Sequence, residues 1–215
     1  MVHVSDADAL ISGLTMHYPD TIRPALQVIK VREGLSKVSG LYLLITPKGD
    51  LYFLADTTVN IEPTAAVARR FDVEPRVAML SFSNFGSTRH PLADKVCRAV
   101  ELVRQRSPGL MVDGEMQADT AVVPEILERT YPFSPLKGGA NVLIFPNLEA
   151  GNVAYKLLAR IGAAEAVGAI LMVLSKPVHV LQRGAEVNDI FNMAAIAVVD
   201  AQEAMPPRGE WGPDI

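Results

Sequence analysis

Cysteine is almost missing from this sequence, with Cys97 the only one. One cysteine cannot close an internal disulfide, so the disulfide-stapled secreted class is excluded and a reducing, cytoplasmic compartment is expected. Cys97 falls at an inward-facing helical position and is read as core packing rather than as a nucleophile. Basic clusters are lacking too. The net charge is −4, and no basic run or aromatic-studded basic patch occurs, which excludes nucleic acid and anionic membrane as partners. Apolar runs such as AILMVL reach strand length only, far short of the roughly 20 residues a membrane span needs. The amino terminus, MVHVSDADAL, lacks the basic region and apolar stretch of a signal peptide. Four histidines (His3, His17, His90, His179) show no metal-ligand spacing, so no metal site is expected. HExxH, GxGxxG, Walker A and GxSxG patterns are all absent, and no covalently bound cofactor is expected.

What is present is core-forming material: 49% of the 215 residues are hydrophobic. That suffices for one large α/β domain, or one domain and a piece of another. Strand-like runs are read at 7–12, 38–46, 51–56, 76–83, 110–115, 141–145 and 169–174. Several lack alternation, as parallel strands covered on both faces do. Thr46-Pro47-Lys48-Gly49-Asp50 has the turn chemistry of a hairpin between the second and third strands. Three amphipathic stripes alternate with the strands: Ile22, Ala25, Leu26, Ile29; then Leu92, Val96, Ala99, Val100, Val103; then Ala154, Leu157, Leu158, Ile161. TAAVARRF (64–71) offers barely two helical turns. This order predicts an α/β fold, a three-layer α/β/α sandwich with a mostly parallel sheet. From Ile190 to Val199 only Asn192 is polar. A helix apolar nearly all round is expected to be buried on most sides, between domains or at a subunit interface. The last 11 residues contain three prolines and two glycines and read as a flexible tail.

In an open α/β sheet, ligands bind beyond the carboxyl ends of the strands. Three junctions there carry small polar residues. SFSNFGSTRHP (81–91) either cradles an anion with backbone N–H groups and hydroxyls, or is a polar loop with Ser87 or Thr88 capping the next helix. IFPNLEAGN (144–152) makes Asn147 an N-cap. Gly151 in the first turn costs about 1 kcal/mol of helix propensity, which a close neighbour or a ligand would explain. In KPVHVLQRGAEVNDI (176–190), Arg183 and Asp189 are either a binding pair or a helix cap with an ion pair. DGEMQAD (113–119) brings Asp113, Glu115 and Asp119 together. Acid–base or Mg²⁺ chemistry is one reading, and helix-cap composition at a strand exit is the favoured one.

The segments EPRVAMLSFSNFGS (74–87), DGEMQAD, ANVLIFPNLEAGNVAYKLL (140–158) and KPVHVLQRGAEVNDI, in this order and at these intervals, resemble the phosphate acetyl/butyryltransferase family. SNFGS, PVHVL and NMAAIAVVDAQ look most like the carboxyl-terminal, phosphotransacetylase-like half of hybrid NADP-dependent malic enzymes. The resemblance implies an isocitrate/isopropylmalate dehydrogenase-like architecture of two α/β domains with CoA bound in the cleft between them. It implies that residues 1–176 are the second domain, 177–204 a returning segment of the first or an interface, and 205–215 a tail. It further implies Ser-Arg-Gly with an aspartate six residues after the arginine: serine for the leaving group, arginine for phosphate, aspartate as base on the thiol. Arg183, Gly184 and Asp189 match, and Gln182 stands where the serine is implied.

Ser83, Asn84, Ser87, Asn147, Gly151, Asn152, Gln182, Arg183 and Asp189 are the implied acetyl-CoA or phosphate contacts, with Arg183 and Asp189 catalytic if chemistry survives. The expected function is an acetyl-CoA-binding regulatory and oligomerisation domain. Its upstream malic-enzyme half would carry the NADP and divalent-metal sites, in a homo-oligomer. An active phosphate acetyltransferase is the alternative, and a purely structural dimerisation module a third.

Overall fold

The structure is a computed structural model that describes residues 1–31, 39–56, 61–172 and 174–204. In chain order the elements are β1 (Leu10–Gly13), α1 (Tyr18–Ile29), β2 (Ser39–Ile45), β3 (Leu51–Asp56), α2 (Ile61–Arg70), β4 (Arg76–Leu80), α3 (Pro91–Arg106) and β5 (Met111–Met116). There follow α4 (Ala118–Val122), α5 (Pro124–Thr130), β6 (Val142–Phe145), α6 (Leu148–Arg160), β7 (Glu165–Met172), β8 (Val178–Leu181) and α7 (Val187–Ala204). The chain divides into two compact units, Met1–Val38 with Val167–Ile215, and Ser39–Ala166. The expected tail, 205–215, lies outside the described residues.

In the unit Ser39–Ala166 the strands run in the order β5-β4-β6-β3-β2. The pairs β5–β4, β4–β6 and β6–β3 are parallel, and β3–β2 is antiparallel. The fold is thus mixed α/β with a mostly parallel sheet flanked by helices, as the alternating pattern predicts. The antiparallel pair is the expected hairpin: Thr46 N–H bonds the Asp50 carbonyl, Gly49 N–H bonds the Thr46 carbonyl, and Gly49 takes a φ of +88°. Strands β4 and β6 are buried almost throughout, which accounts for their unbroken apolar runs. Helix α2 begins three residues before the stretch picked out in the sequence.

Two helical faces differ from expectation. On α6, Leu157, Leu158 and Ile161 are exposed, Ile161 by 81%, and the buried residue is Tyr155, whose ring stacks on Tyr42 at 3.9 Å. Of the stripe read from periodicity Ala154 packs on the core beside Tyr155, so the buried face is rotated away from Leu157, Leu158 and Ile161. On α3, Ala93, Val96 and Val100 are buried while Leu92 is exposed.

In the other unit β1 and β8 pair in parallel, with Ile11 beside His179 and Gly13 beside Leu181. Helix α1 packs its predicted face, Ile22, Ala25, Leu26 and Ile29, against Val178 and Val180. Strand β8 coincides with the short apolar run, Val178 to Leu181, that leads into the Gln182-Arg183-Gly184 turn. Helix α7 packs on β8 and β1 through Met193, Ile196, Ala197 and Ala201. Within this chain Val187, Phe191 and Val198 are exposed on it. Its apolar composition therefore exceeds what this chain covers.

Candidate functional site

The parallel strands β4, β5 and β6 end at one edge of their sheet, and two of the candidate groups lie there. The loop after β4 is closed on itself. Asn84 N–H donates to Ser87 Oγ, Phe85 N–H to the Glu115 carbonyl, Gly86 N–H to Glu115 Oε1, Ser87 N–H to the Asn84 carbonyl and Thr88 N–H to Ser83 Oγ. Each N–H from 84 to 88 thus has a partner inside the protein. Phe85 and Gly86 adopt left-handed conformations (φ +47° and +83°) that bring the Gly86 N–H round to the carboxylate. Ser83 is fully buried and donates to Glu115 Oε1 at 2.7 Å. Asn84 is clamped by Gln117, whose N–H reaches Asn84 Oδ1 at 2.7 Å and whose side-chain oxygen accepts from Asn84 Nδ2 at 3.2 Å. Of the three loop candidates only Ser87 is exposed. The N-cap of α3 is His90, whose Nδ1 accepts from Leu92 N–H, rather than Ser87 or Thr88.

The carboxylates of DGEMQAD correct the helix-cap reading. Asp113 and Glu115 lie within β5, are 4% and 1% exposed, and both reach α3. Arg104 forms an ion pair with Asp113 at 2.5 Å, and the Cys97 thiol donates to Glu115 Oε2 at 2.7 Å. Burial pushes the Glu115 carboxyl up, but hydrogen bonds from the Cys97 thiol, Gly86 N–H and Ser83 hydroxyl outweigh it and hold the group below its ordinary value. Burial, with the Glu115 carboxylate second, pushes the Cys97 thiol up. That disfavours a thiolate and fits the non-nucleophilic reading, although Cys97 is half-buried and polar-bonded rather than part of an apolar core. Only Asp119 behaves as helix-start composition, in the first turn of α4 with its Oδ1 accepting from Thr120 N–H.

At the amino end of α6, Asn147 is the N-cap, its side chain accepting from Ala150 N–H at 2.8 Å. Gly151 N–H bonds the Asn147 carbonyl, and a Cβ at Gly151 would meet the Phe145 ring at 3.5 Å, an ordinary contact. No close neighbour therefore demands the glycine. Asn152 is exposed.

The third group is a strand–turn–helix unit in the other part of the chain. Buried β8 ends at Leu181, and Ala185 N–H bonds the Gln182 carbonyl to close a turn whose third residue, Gly184, has φ +80°. The turn leaves Gln182 and Arg183 exposed. Arg183 spends one donor on the Thr15 carbonyl, at 3.3 Å, just beyond β1. A Cβ on Gly13 would collide with the Leu181 carbonyl, so glycine is what lets β1 run close beside this turn. Asp189 is in the first turn of α7, and its Oδ2 accepts from Glu186 N–H at 2.8 Å. That is the reach-back half of a capping box. The Arg183–Asp189 ion pair does not form; each uses a backbone partner instead. Arg183 therefore keeps an exposed planar guanidinium at this turn, and the Asp189 carboxylate is held at the helix start.

Sequence reasoning missed Glu115 and Gln117 as organisers of the β4 loop, and His179, buried in β8 with Nε2 3.0 Å from Asp200 Oδ2 of α7. Two acids at i, i+2 opposite Cys97 and Arg104 at i, i+7 was a signal for the first. Nothing in the sequence pairs residues 179 and 200. Among the described residues no group of acids, cysteines and histidines is arranged to hold a metal ion, and no helix is long and apolar enough to cross a membrane.

The family model for phosphate acetyl/butaryl transferase matches residues 1–198. The chain is 43% identical over 212 residues to a phosphate acetyltransferase of Bacillus subtilis, covering 94% of this chain and 65% of that protein. It is 44% identical over 215 residues to an NADP-dependent malic enzyme of Escherichia coli, covering 94% of this chain and 28% of the enzyme. A solved phosphotransacetylase from Streptococcus pyogenes superposes with a TM-score of 0.86 at 40% identity, over 94% of this chain and 65% of that one. The chain thus spans just under two thirds of each of these two transferases.

Proposed function

Because the chain belongs to the phosphate acetyl/butaryl transferase family, we propose that it is an acetyl-CoA-binding regulatory and oligomerisation domain of a hybrid malic enzyme. It is a phosphate acetyltransferase-like domain, homologous to a region of NADP-dependent malic enzymes. The observation that carries the regulatory reading is the turn at 182–184. Arg183 is exposed and keeps donors for a phosphate or thioester oxygen, whereas Gln182 replaces the implied serine hydroxyl with a longer, differently placed amide. Geometry of a reacting site tolerates about 0.5 Å of error, so binding outlasts turnover under that exchange. In the other unit the exposed residues Ser87, Asn147 and Asn152, with Gly151, are the proposed ligand contacts, while Ser83 and Asn84 hold the loop. Exposed apolar faces on α6 and α7 favour assembly with further protein. Regulation then requires acetyl-CoA to bind two states of that assembly unequally, typically by about 1–3 kcal/mol.

The second reading, an active phosphate acetyltransferase, is favoured by the 43% identity to such an enzyme. In it Arg183 holds the phosphoryl group and Asp189 takes the CoA thiol proton as the thiolate attacks acetyl phosphate, releasing phosphate and forming the thioester. Two measurements separate these. Calorimetry with acetyl-CoA is expected to show saturable binding that Arg183→Ala weakens at least tenfold, and no binding at millimolar ligand removes the regulatory reading. A thioester assay with acetyl phosphate and CoA is expected to show no robust turnover. Turnover abolished by Asp189→Asn establishes the transferase instead.

A further inference from the structure

Helix α7 meets β8 and β1 through Met193, Ile196, Ala197 and Ala201. Apolar faces of this kind supply attraction without fixing register, since a small rotation exchanges one methyl contact for another. A polar pair lies at this contact, His179 with a fully buried ring and Asp200 with a carboxylate 12% exposed. His179, in the middle of β8, is 0% exposed, and its Nε2 lies 3.0 Å from Asp200 Oδ2. The N–H direction is off-line for a hydrogen bond, and neither ring nitrogen has a hydrogen-bond partner among the described residues. The 3.0 Å separation is within hydrogen-bond range, and the imidazole torsion is broad, so the contact needs only a change of ring angle to align.

The two residues sit on opposite sides of the turn that carries the anion-binding candidates. His179 precedes Arg183 by four residues along β8, and Asp200 follows Asp189 by eleven along α7. At 100° per residue, eleven steps return to within about 20° of the starting azimuth, roughly 16 Å along the axis. Asp189 and Asp200 therefore share one face of α7. Whatever fixes the azimuth of Asp200 fixes that of Asp189. A single buried polar pair that sets register is the best-attested use of such groups.

We propose that His179 and Asp200 are positioning residues: a buried pin that sets the rotation and axial register of α7 on β8, and thereby the placement of Asp189 relative to Gln182 and Arg183. The inference rests on the reading of Arg183 and Asp189 as ligand-binding groups only for its consequence on affinity. The placement itself is tested without ligand.

Hydrogen exchange read by mass spectrometry on wild type, His179→Leu, His179→Gln and Asp200→Asn supplies the test. In His179→Leu, amides of 183–190 are expected to exchange at least tenfold faster, while segments 76–80 and 142–145 keep their rates. His179→Gln, which restores a donor at about the same reach, is expected to return 183–190 to within threefold of wild type. Asp200→Asn, nearly isosteric, is expected to accelerate 183–190 at least threefold, and it keeps the test open if His179→Leu fails to fold. Unchanged rates at 183–190 in Asp200→Asn overturn the proposal. So does acceleration spread evenly over α1, β1 and β8, or no recovery with glutamine, since either means that His179 fills space. In parallel, CoA affinity by calorimetry is expected to fall at least fivefold in His179→Leu and to recover in His179→Gln. If wild type binds no CoA, the proposed function fails while the exchange result still decides the pin.

Discussion

Replacing Glu115 tests the organisation of the β4 loop most directly. Its carboxylate accepts from Ser83 Oγ at 2.7 Å, Gly86 N–H at 2.8 Å and Cys97 Sγ at 2.7 Å. Hydrogen bonds to a charged acceptor contribute about 1.5–3 kcal/mol each, and a thiol donor contributes less. Against that stands the cost of desolvating a carboxylate that is 1% exposed, several kcal/mol before its donors are counted. In Glu115→Leu the buried Ser83 hydroxyl still has Ser87 Oγ at 3.2 Å, and the exposed Gly86 N–H can turn to water, so neither is fully orphaned. The net loss is then about 2–4 kcal/mol. Glu115→Gln keeps one oxygen for Ser83 and Gly86 and turns an amide toward the sulfur, losing about 1–2 kcal/mol. For a chain of this size each kcal/mol moves Tm by roughly 2–4 °C, so calorimetric scans separate the two variants.

The pH dependence supplies a sharper arm. The folded Glu115 carboxyl is held below its unfolded value of 4.5. Its stabilisation is therefore present above that value and is lost as pH falls through the lower folded value. The Tm gap between wild type and Glu115→Gln is expected to be full at pH 6 and to narrow below pH ~4.5. A gap that stays constant down to pH 3, or a Glu115→Leu variant within ~0.5 kcal/mol of wild type, refutes the assignment of the carboxylate as the loop's anchor.

Other substitutions follow from single contacts. Gly114→Ala is expected to lose about 2–4 kcal/mol in urea unfolding, because Gly114 has φ +139° and its added Cβ would stand 2.6 Å from the Met79 carbonyl in the neighbouring strand. Asn147→Ala removes the cap on Ala150 N–H and is expected to cost about 1 kcal/mol by the same measurement. Leu157→Gln on exposed α6 is expected to change stability by less than ~0.5 kcal/mol; a loss of 2 kcal/mol or more would restore the buried face that periodicity suggested.

Much of the fold was legible in the sequence because parallel strands and hairpins announce themselves locally. VLIF and RVAML are buried on both faces and read as unbroken apolar runs, and Thr46 to Asp50 carries its turn in its own residues. Asn147 as a cap and the four-residue face of α1 were local as well. The long motif segments fixed the family, since their order and spacing are properties of the chain. The turn at Gln182-Arg183-Gly184 was local as well, closed by Ala185 N–H on the Gln182 carbonyl with Gly184 at φ +80°.

What the sequence left undecided depends on contacts between residues far apart in the chain. Which side of α6 is buried depends on a ring, Tyr42, more than a hundred positions away. Whether Asp113 and Glu115 cap a helix or lie buried in a strand depends on α3 delivering Arg104 and Cys97 to β5. An Arg183–Asp189 pair looked natural at six residues' separation, yet tertiary structure gave Arg183 the Thr15 carbonyl and Asp189 its own helix start. His179 and Asp200 meet only because α7 folds back along β8. Periodicity and turn chemistry are encoded within a few residues, so one chain suffices to read them. Burial of a charge and choice of its partner are set by packing across the sheet, and only the assembled fold supplies them.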